Sequence, residues 1–212
     1  MVLKLHGAPY STCTQRVLLV CKELNVPYEF VNVNIRVGEQ KDPAYMKNQP
    51  FGQVPFIDDD GFILFESRAI ARYLAQKHGS PLNPVGDLKK LALFEQAASI
   101  EQADFDPYAY GYALEKIFKP QSRDGGLQPN DAFAEQLKGT LEKKLQGYEA
   151  ILGKQKYLAG DEVTLADLFH LPYGALITNA LKFTGLTDSP HIARWWKDIT
   201  ARPSWQAVGN GA

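Results

Sequence analysis

Strand-like alternation is confined to the first 66 residues of this 212-residue chain, and that asymmetry limits the folds open to it. "VLKLH" (2–6) alternates as a short strand does, and "GAP" then breaks it. "YEFVNVNI" (28–35) returns to alternation, and "QVPFIDDDGFILFE" (53–66) reads as a hairpin turning at Asp60-Gly61. Between these runs the period is helical. Val17, Leu18, Val20, Cys21 and Leu24 share one apolar stripe of a helix from Thr12. A polar stretch, 36–50, accommodates a short helix at Pro43–Lys47, and helical spacing resumes through Ile70, Leu74 and Lys77. The order is β-α-β-α-β-β-α, opening on a βαβ unit for which a right-handed crossover is expected.

Composition changes at residue 79. "GSPLNPVGD" reads as a linker, and nothing beyond it resembles a strand. Leu88 to Phe118 is helical in period, with a kink expected at Pro107. "KPQSRDGGLQPN" (119–130) reads as a loop whose Asn130 caps a helix running to about Leu152. In "VTLADL" Thr164 is placed as an N-cap, with Asp167 three residues on in a capping box and Val163 stapling onto Leu168. Ser189-Pro190 opens a further helix that ends before Arg202-Pro203. The expected division is a first domain over 1–78, a linker over 79–88 and an all-helical domain over 89–212.

The totals exclude several classes. A net charge of −1 offers no basic field for nucleic acid. No apolar run approaches the ~18 residues of a membrane helix, and the start of the chain lacks a signal-peptide profile. Cys13 and Cys21, eight residues apart on one helix, sit roughly 12 Å from each other, too far to bridge. A reduced, cytoplasmic setting is expected. His6, His78, His170 and His191 are scattered without ligand spacing, so no metal is expected.

Three stretches hold residues able to do chemistry. Pro55 sits inside an apparent strand, where it cannot donate to a ladder. Either this is an edge strand with a trans proline, or a cis Val54-Pro55 bond exposes Val54's backbone to an extended ligand. Glu66 and Ser67 stand where the hairpin hands over to a helix. That junction binds carboxylates or phosphates, or simply caps itself. In "HGAPYSTCTQRV" (6–17) Ser11 and Thr12 lie at the C-terminal edge of a strand, where open α/β sheets bind ligands. Each is a helix cap or a hydrogen-bond donor into a groove. Cys13 and Cys21 fall on the apolar helix, as packed thiols do. Tyr108, Tyr110, Tyr112 and Phe118 group on one helix, as core aromatics or as a pocket.

Taken together, "NQPFGQVP", "FESRAIARYLA", "YLAGDEVTLADL", the late "WW" and "RPSW" resemble, in order, the cytosolic glutathione transferases. "GEQK", "PFGQVP" and "FESRAI" look most like the phi class. The resemblance implies an α/β thioredoxin-like N-terminal domain followed by an all-α helical C-terminal domain. It also implies glutathione as co-substrate, no metal, and a homodimer. By that resemblance Ser11, five residues before Arg16, is catalytic and donates a hydrogen bond to the glutathione sulfur, with Thr12 a lesser donor nearby. Gln53, Val54 and a cis Pro55 would hold the cysteinyl backbone, Glu66 and Ser67 the γ-glutamyl end, and Lys41 the glycyl carboxylate. The phi pattern usually has histidine before that lysine. Gln40 stands there instead, a donor without charge. An electrophile pocket between the domains would draw on Tyr10, Tyr108, Tyr112 and Phe118. Glutathione-dependent peroxidase activity is compatible with this reading. The alternatives are Cys13 as a nucleophile for deglutathionylation or dehydroascorbate reduction, and a non-catalytic carrier of apolar ligands.

Overall fold

The computed structural model of the chain describes residues 2–121 and 127–209. It divides into two compact units, the first formed by the chain up to Asn83 together with the stretch from Ala201, the second by Pro84–Thr200.

The first unit runs β1 (Leu3–Gly7), α1 (Thr12–Glu23), β2 (Tyr28–Asn32), a 3-10 turn at Glu39–Lys41, α2 (Pro43–Met46), β3 (Phe56–Asp59), β4 (Phe62–Phe65) and α3 (Ser67–Lys77). The sheet has the order β2-β1-β3-β4. β1 and β2 are parallel, as the crossover through α1 requires, and the remaining pairs are antiparallel. This is the thioredoxin-like sheet. Asp60 and Gly61 turn the hairpin at φ 57° and 86°, a twist that suits adjacent antiparallel strands. Leu5, Ile57, Val17, Leu18, Leu19 and Ile70 are all fully buried, each side chain stabilising the fold by about 1.5–3 kcal/mol.

Register fixes what lies at the sheet's edge. His6 pairs with Phe56, and Phe56 pairs with Phe65. The end of β1, the start of β3 and the end of β4 therefore align. The segments attached there are Ala8–Ser11, Val54-Pro55 and Glu66-Ser67.

In the second unit α4 (Leu88–Ile100) is capped by Asp87, whose Oδ1 accepts from the N–H groups of Lys89 and Lys90. The expected helical run from Leu88 to Phe118 is unbroken, and its irregularity lies just before Pro107. A wide π-type turn, Glu101–Phe105, joins α4 to α5 (Asp106–Ala113), which has Pro107 in its opening turn and a distorted Phe105 (φ −121°) before it. Pro107 cannot supply an N–H to that turn, and a π-type turn is one of the ways a helix accommodates such a residue. A second π-type turn, Leu114–Phe118, leads into α6 (Lys119–Gln121), so the expected loop begins later than Lys119. Residues 122–126 of that loop lie outside the described residues. Asn130 caps α7 (Asp131–Leu152), accepting from Phe133 N–H at 3.0 Å.

The capping box at Thr164 opens α8 (Leu165–Leu168), followed by α9 (Leu171–Leu181) and α10 (Pro190–Thr200). Asp167 does more than close the box. Its carboxylate, fully buried, accepts from Thr164 N–H (2.9 Å), Thr164 Oγ1 (3.1 Å), Leu158 N–H (2.9 Å) and Trp195 Nε1 (2.9 Å). The opening N–H groups of α10, at His191 and Ile192, are taken by Glu149 from α7.

The last helix, α11 (Pro203–Gly209), packs on α1, so a stretch assigned to the helical domain by sequence joins the first unit. The physical reason is an ion pair and a helix face. Arg202 grips Glu23 through Nε at 2.5 Å and Nη2 at 2.8 Å, and the Ser204 hydroxyl donates to the same carboxylate. Burial pushes the Glu23 carboxyl up, but the Arg202 and Ser204 hydrogen bonds and the Arg202 charge outweigh it and hold it below the usual range. A depressed carboxylate contributes stability that is present above its unfolded value of about 4.3 and disappears as pH falls through the lower folded value. Urea titrations at a series of acid pH values should show that loss in wild type and a flatter profile in Glu23→Gln. Parallel profiles would refute the assignment.

Candidate functional site

Ser11 is the N-cap of α1. Its Oγ accepts from the Thr14 N–H at 3.3 Å, while its own N–H reaches back to Ala8 C=O at 3.0 Å. The cap does not exclude donation. The backbone occupies an oxygen lone pair and leaves the hydroxyl hydrogen free to donate outward. Gly7 lets strand and helix close up here, since a Cβ would lie 2.8 Å from Thr14 Oγ1. Thr14 in turn accepts from Ala8 N–H at 3.3 Å. Thr12 is buried at the first helical position. Cys13 is half-buried and free, with Arg16 Nη1 3.7 Å from its sulfur. Cys21 is fully buried, and burial pushes its thiol up to about 12.

The Val54-Pro55 bond is cis. Among the described residues no protein group takes Val54's N–H or C=O, which leaves a peptide edge open beside β3. Gln53, just before it, is pinned from both sides. Its N–H donates to Gln49 Oε1 at 3.2 Å, and its C=O accepts from Tyr45 O–H at 2.7 Å. Gln49 is almost fully buried, and burial raises the Tyr45 phenol to about 12, so it remains a donor at neutral pH. Neither residue is identifiable from local pattern, because each acts on a backbone group in the next loop.

Lys41 and Gln40 meet the same loop. Lys41 Nζ donates to Phe51 C=O at 3.1 Å and keeps two further hydrogens to offer. Gly52, at φ 59°, permits this approach, since a Cβ would fall 2.7 Å from Lys41 Cδ and 2.9 Å from Gln40 C=O. Gln40 Oε1 is buried with no hydrogen-bond partner among the described residues.

Glu66 occupies the N-cap position of α3 at φ 71° and ψ 106°, a strained conformation for a residue with a side chain. Its exposed carboxylate makes no capping bond to its own helix. Ser67 is not a cap either. It is the first helical residue, buried, and its Oγ accepts from Arg16 Nη1 at 2.8 Å. The strand register thus gathers Ser11, Val54-Pro55 and Glu66-Ser67 at one end of the sheet, with Gln40, Lys41 and Gln53 beside the middle segment. Such an arrangement offers a carboxylate next to a hydroxyl-bearing helix start, an open peptide edge, and an ammonium.

The proposed pocket residues divide. Tyr10 is exposed, with the Arg36 guanidinium 5.8 Å above its ring. In the helical unit Tyr112 is buried with its ring 6.5 Å from Phe183, a core position, while Tyr108 and Phe118 are half-exposed.

Two family models match, the glutathione S-transferase N-terminal domain over residues 5–82 and the C-terminal domain over 106–203. A curated relative from Arabidopsis thaliana, glutathione S-transferase PM239X14, is 48% identical over 201 residues, covering 92% of this chain and 90% of the relative. The chain belongs to the glutathione S-transferase family. Among solved structures, glutathione transferase F7 from Populus trichocarpa superposes with a TM-score of 0.92 at 37% identity, covering 99% of this chain and 98% of that one. F-type transferases are the phi class, so the fold neighbour agrees with the motifs. Glutathione S-transferase I from maize, solved with an atrazine glutathione conjugate, gives a TM-score of 0.91 at 32% identity, covering 99% and 97%.

Proposed function

We propose that this transferase binds glutathione along the sheet edge and activates it as a thiolate with Ser11. One observation carries the reading: Ser11 Oγ accepts from the Thr14 N–H, which orients the hydroxyl and leaves its hydrogen free to donate to a ligand. Free thiols titrate near ~8.5 and are mostly protonated at neutral pH. A donor at the sulfur, together with the positive end of the α1 dipole, favours the charged form. The thiolate attacks an electrophilic carbon, forms the thioether and expels the leaving group with its electron pair, the thiol proton having gone to water. Against a hydroperoxide the same thiolate would attack the terminal oxygen, breaking the O–O bond and releasing the alcohol. A second glutathione would convert the resulting sulfenic acid to the disulfide and water.

The peptide fits the stations in order. Glutathione's γ-glutamyl end carries an ammonium for Glu66 and a carboxylate for Ser67. Its cysteinyl backbone can pair with Val54, and its glycyl carboxylate can meet Lys41, with Gln40 alongside. The bound conjugate in the maize relative supports this class of ligand. Large apolar side chains left exposed, among them Phe51, Leu88 and Leu93, favour assembly as a homodimer, which sedimentation reads directly. The cytoplasm is the proposed setting.

Turnover of glutathione with an activated aryl chloride, and with an organic hydroperoxide, tests the proposal. Cys13→Ser is expected to keep both activities within about twofold, because Cys13 follows the cap into the helix and carries no step. Loss of activity in Cys13→Ser would make the protein's own thiol the nucleophile. Glutathione binding without turnover would make the chain a carrier.

A further inference from the structure

Arg16 is almost completely buried, yet it belongs to no step above. One of its nitrogens, Nη1, serves two acceptors: Ser67 Oγ at 2.8 Å, 51 residues away in sequence, and Cys13 Sγ at 3.7 Å. A guanidinium only donates. Ser67 Oγ therefore spends a lone pair on Arg16, and among the described residues it has no other partner. Its hydroxyl hydrogen is left to point elsewhere.

We propose that Arg16 is a positioning residue for glutathione recognition, fixing Ser67 as a hydrogen-bond donor so that the start of α3 accepts a carboxylate. A free serine hydroxyl serves either sign of ligand, accepting from an ammonium or donating to a carboxylate. Arg16 takes one lone pair, and its positive charge disfavours an ammonium at the other. Donation to a carboxylate is therefore favoured, and the ammonium of the same ligand residue is left to Glu66. The helix start reinforces the choice, because the N–H groups of an 11-residue helix favour an anion there. Two hydroxyls of the site are thus polarised in the same way. Ser11 is set by a backbone N–H and Ser67 by a buried guanidinium, and each turns a hydrogen to the ligand. Cys13 holds the second hydrogen of Nη1 and so steadies the fork. Serine there keeps an acceptor, in line with the mild effect expected for Cys13→Ser.

The inference rests on the glutathione reading, and the test separates the two. Dissociation constants are measured by calorimetry for glutathione and for 4-aminobutyryl-cysteinylglycine, which lacks only the α-carboxylate of the first residue. The proteins are wild type, Ser67→Ala, Arg16→Met and the double variant. Wild type should prefer glutathione, and each single variant should weaken glutathione about tenfold while leaving the truncated peptide unchanged. The double variant should be no weaker than the worse single one, since both remove the same donor. Arg16→Lys, which keeps a charged donor, should retain the preference for glutathione, and it replaces Arg16→Met if that protein does not fold. At saturating glutathione the KM for the aryl chloride should not move. An Arg16 variant that weakens both peptides alike overturns the positioning role, as do multiplicative effects in the double variant. Wild type that binds the two peptides equally, or binds neither, overturns the glutathione reading and the inference with it.

Discussion

Ser11→Ala is expected to lower conjugation at pH 6.5 by about 10²-fold, while glutathione still binds. The loss of one donor aimed at a developing or resident anion costs about 10²–10³ in rate in comparable sites. Here the anion is a thiolate, so the deficit depends on pH. Without the hydroxyl the bound thiol titrates higher, nearer its value in water, and fewer molecules carry the reactive form at neutral pH. Raising the pH to 9 forms the thiolate unaided, and most of the lost rate should return. The profile of kcat/KM against pH therefore shifts to the alkaline side in the variant. A second effect has to be separated, because Ser11 also caps α1, and alanine at an N-cap costs about 1 kcal/mol. Glycine at an N-cap costs only a few tenths, so Ser11→Gly keeps the helix start and should lose the same rate. A rate deficit independent of pH would remove Ser11 from thiol activation.

Asp167→Ala is expected to cost about 4 kcal/mol or more, enough to leave much of the protein unfolded at 37 °C. The carboxylate accepts four bonds from three residues, in a place without access to water. Its removal strands the Leu158 and Thr164 N–H groups and the Trp195 indole N–H, each a buried donor worth about 1–3 kcal/mol when unmet. Burial pushes the Asp167 carboxyl up, and the same four donors pull the other way. Asp167→Asn keeps the shape and one acceptor oxygen, so it should fall between the two in denaturant midpoint. Against a total stability of roughly 5–15 kcal/mol the alanine loss is decisive. If the alanine variant unfolds within about 1 kcal/mol of wild type, those donors have found other partners.

The features legible in the sequence share a local cause. Asn130, Asp60-Gly61, Thr164 and Asp167 act on backbone within a few residues, so their types in that spacing announce the structure. Pro55 announced itself by standing where a ladder needs a donor, although pattern alone left its isomer open. Arg16, Tyr45 and Gln49 were silent for the opposite reason. Arg16 meets its partner only after the chain has laid down β2, β3, β4 and the start of α3. Tyr45 and Gln49 act on the backbone of Gln53, and a main-chain acceptor leaves no mark on residue type. The same distance hid Glu149 as the group that meets the start of α10. The π-type turns at Glu101–Phe105 and Leu114–Phe118 keep an apolar stripe close to helical period, so the pattern shows the long helical run and hides its irregular turns.

The return of the chain at Ala201 makes the first unit discontinuous in sequence. During synthesis, α1 emerges early with one flank bare and the Glu23 carboxylate without Arg202 or Ser204. Both wait until the whole helical unit has been translated. The thioredoxin-like unit is therefore among the first to start and the last to be sealed, and a fragment ending at Asn83 would lack its own closing piece.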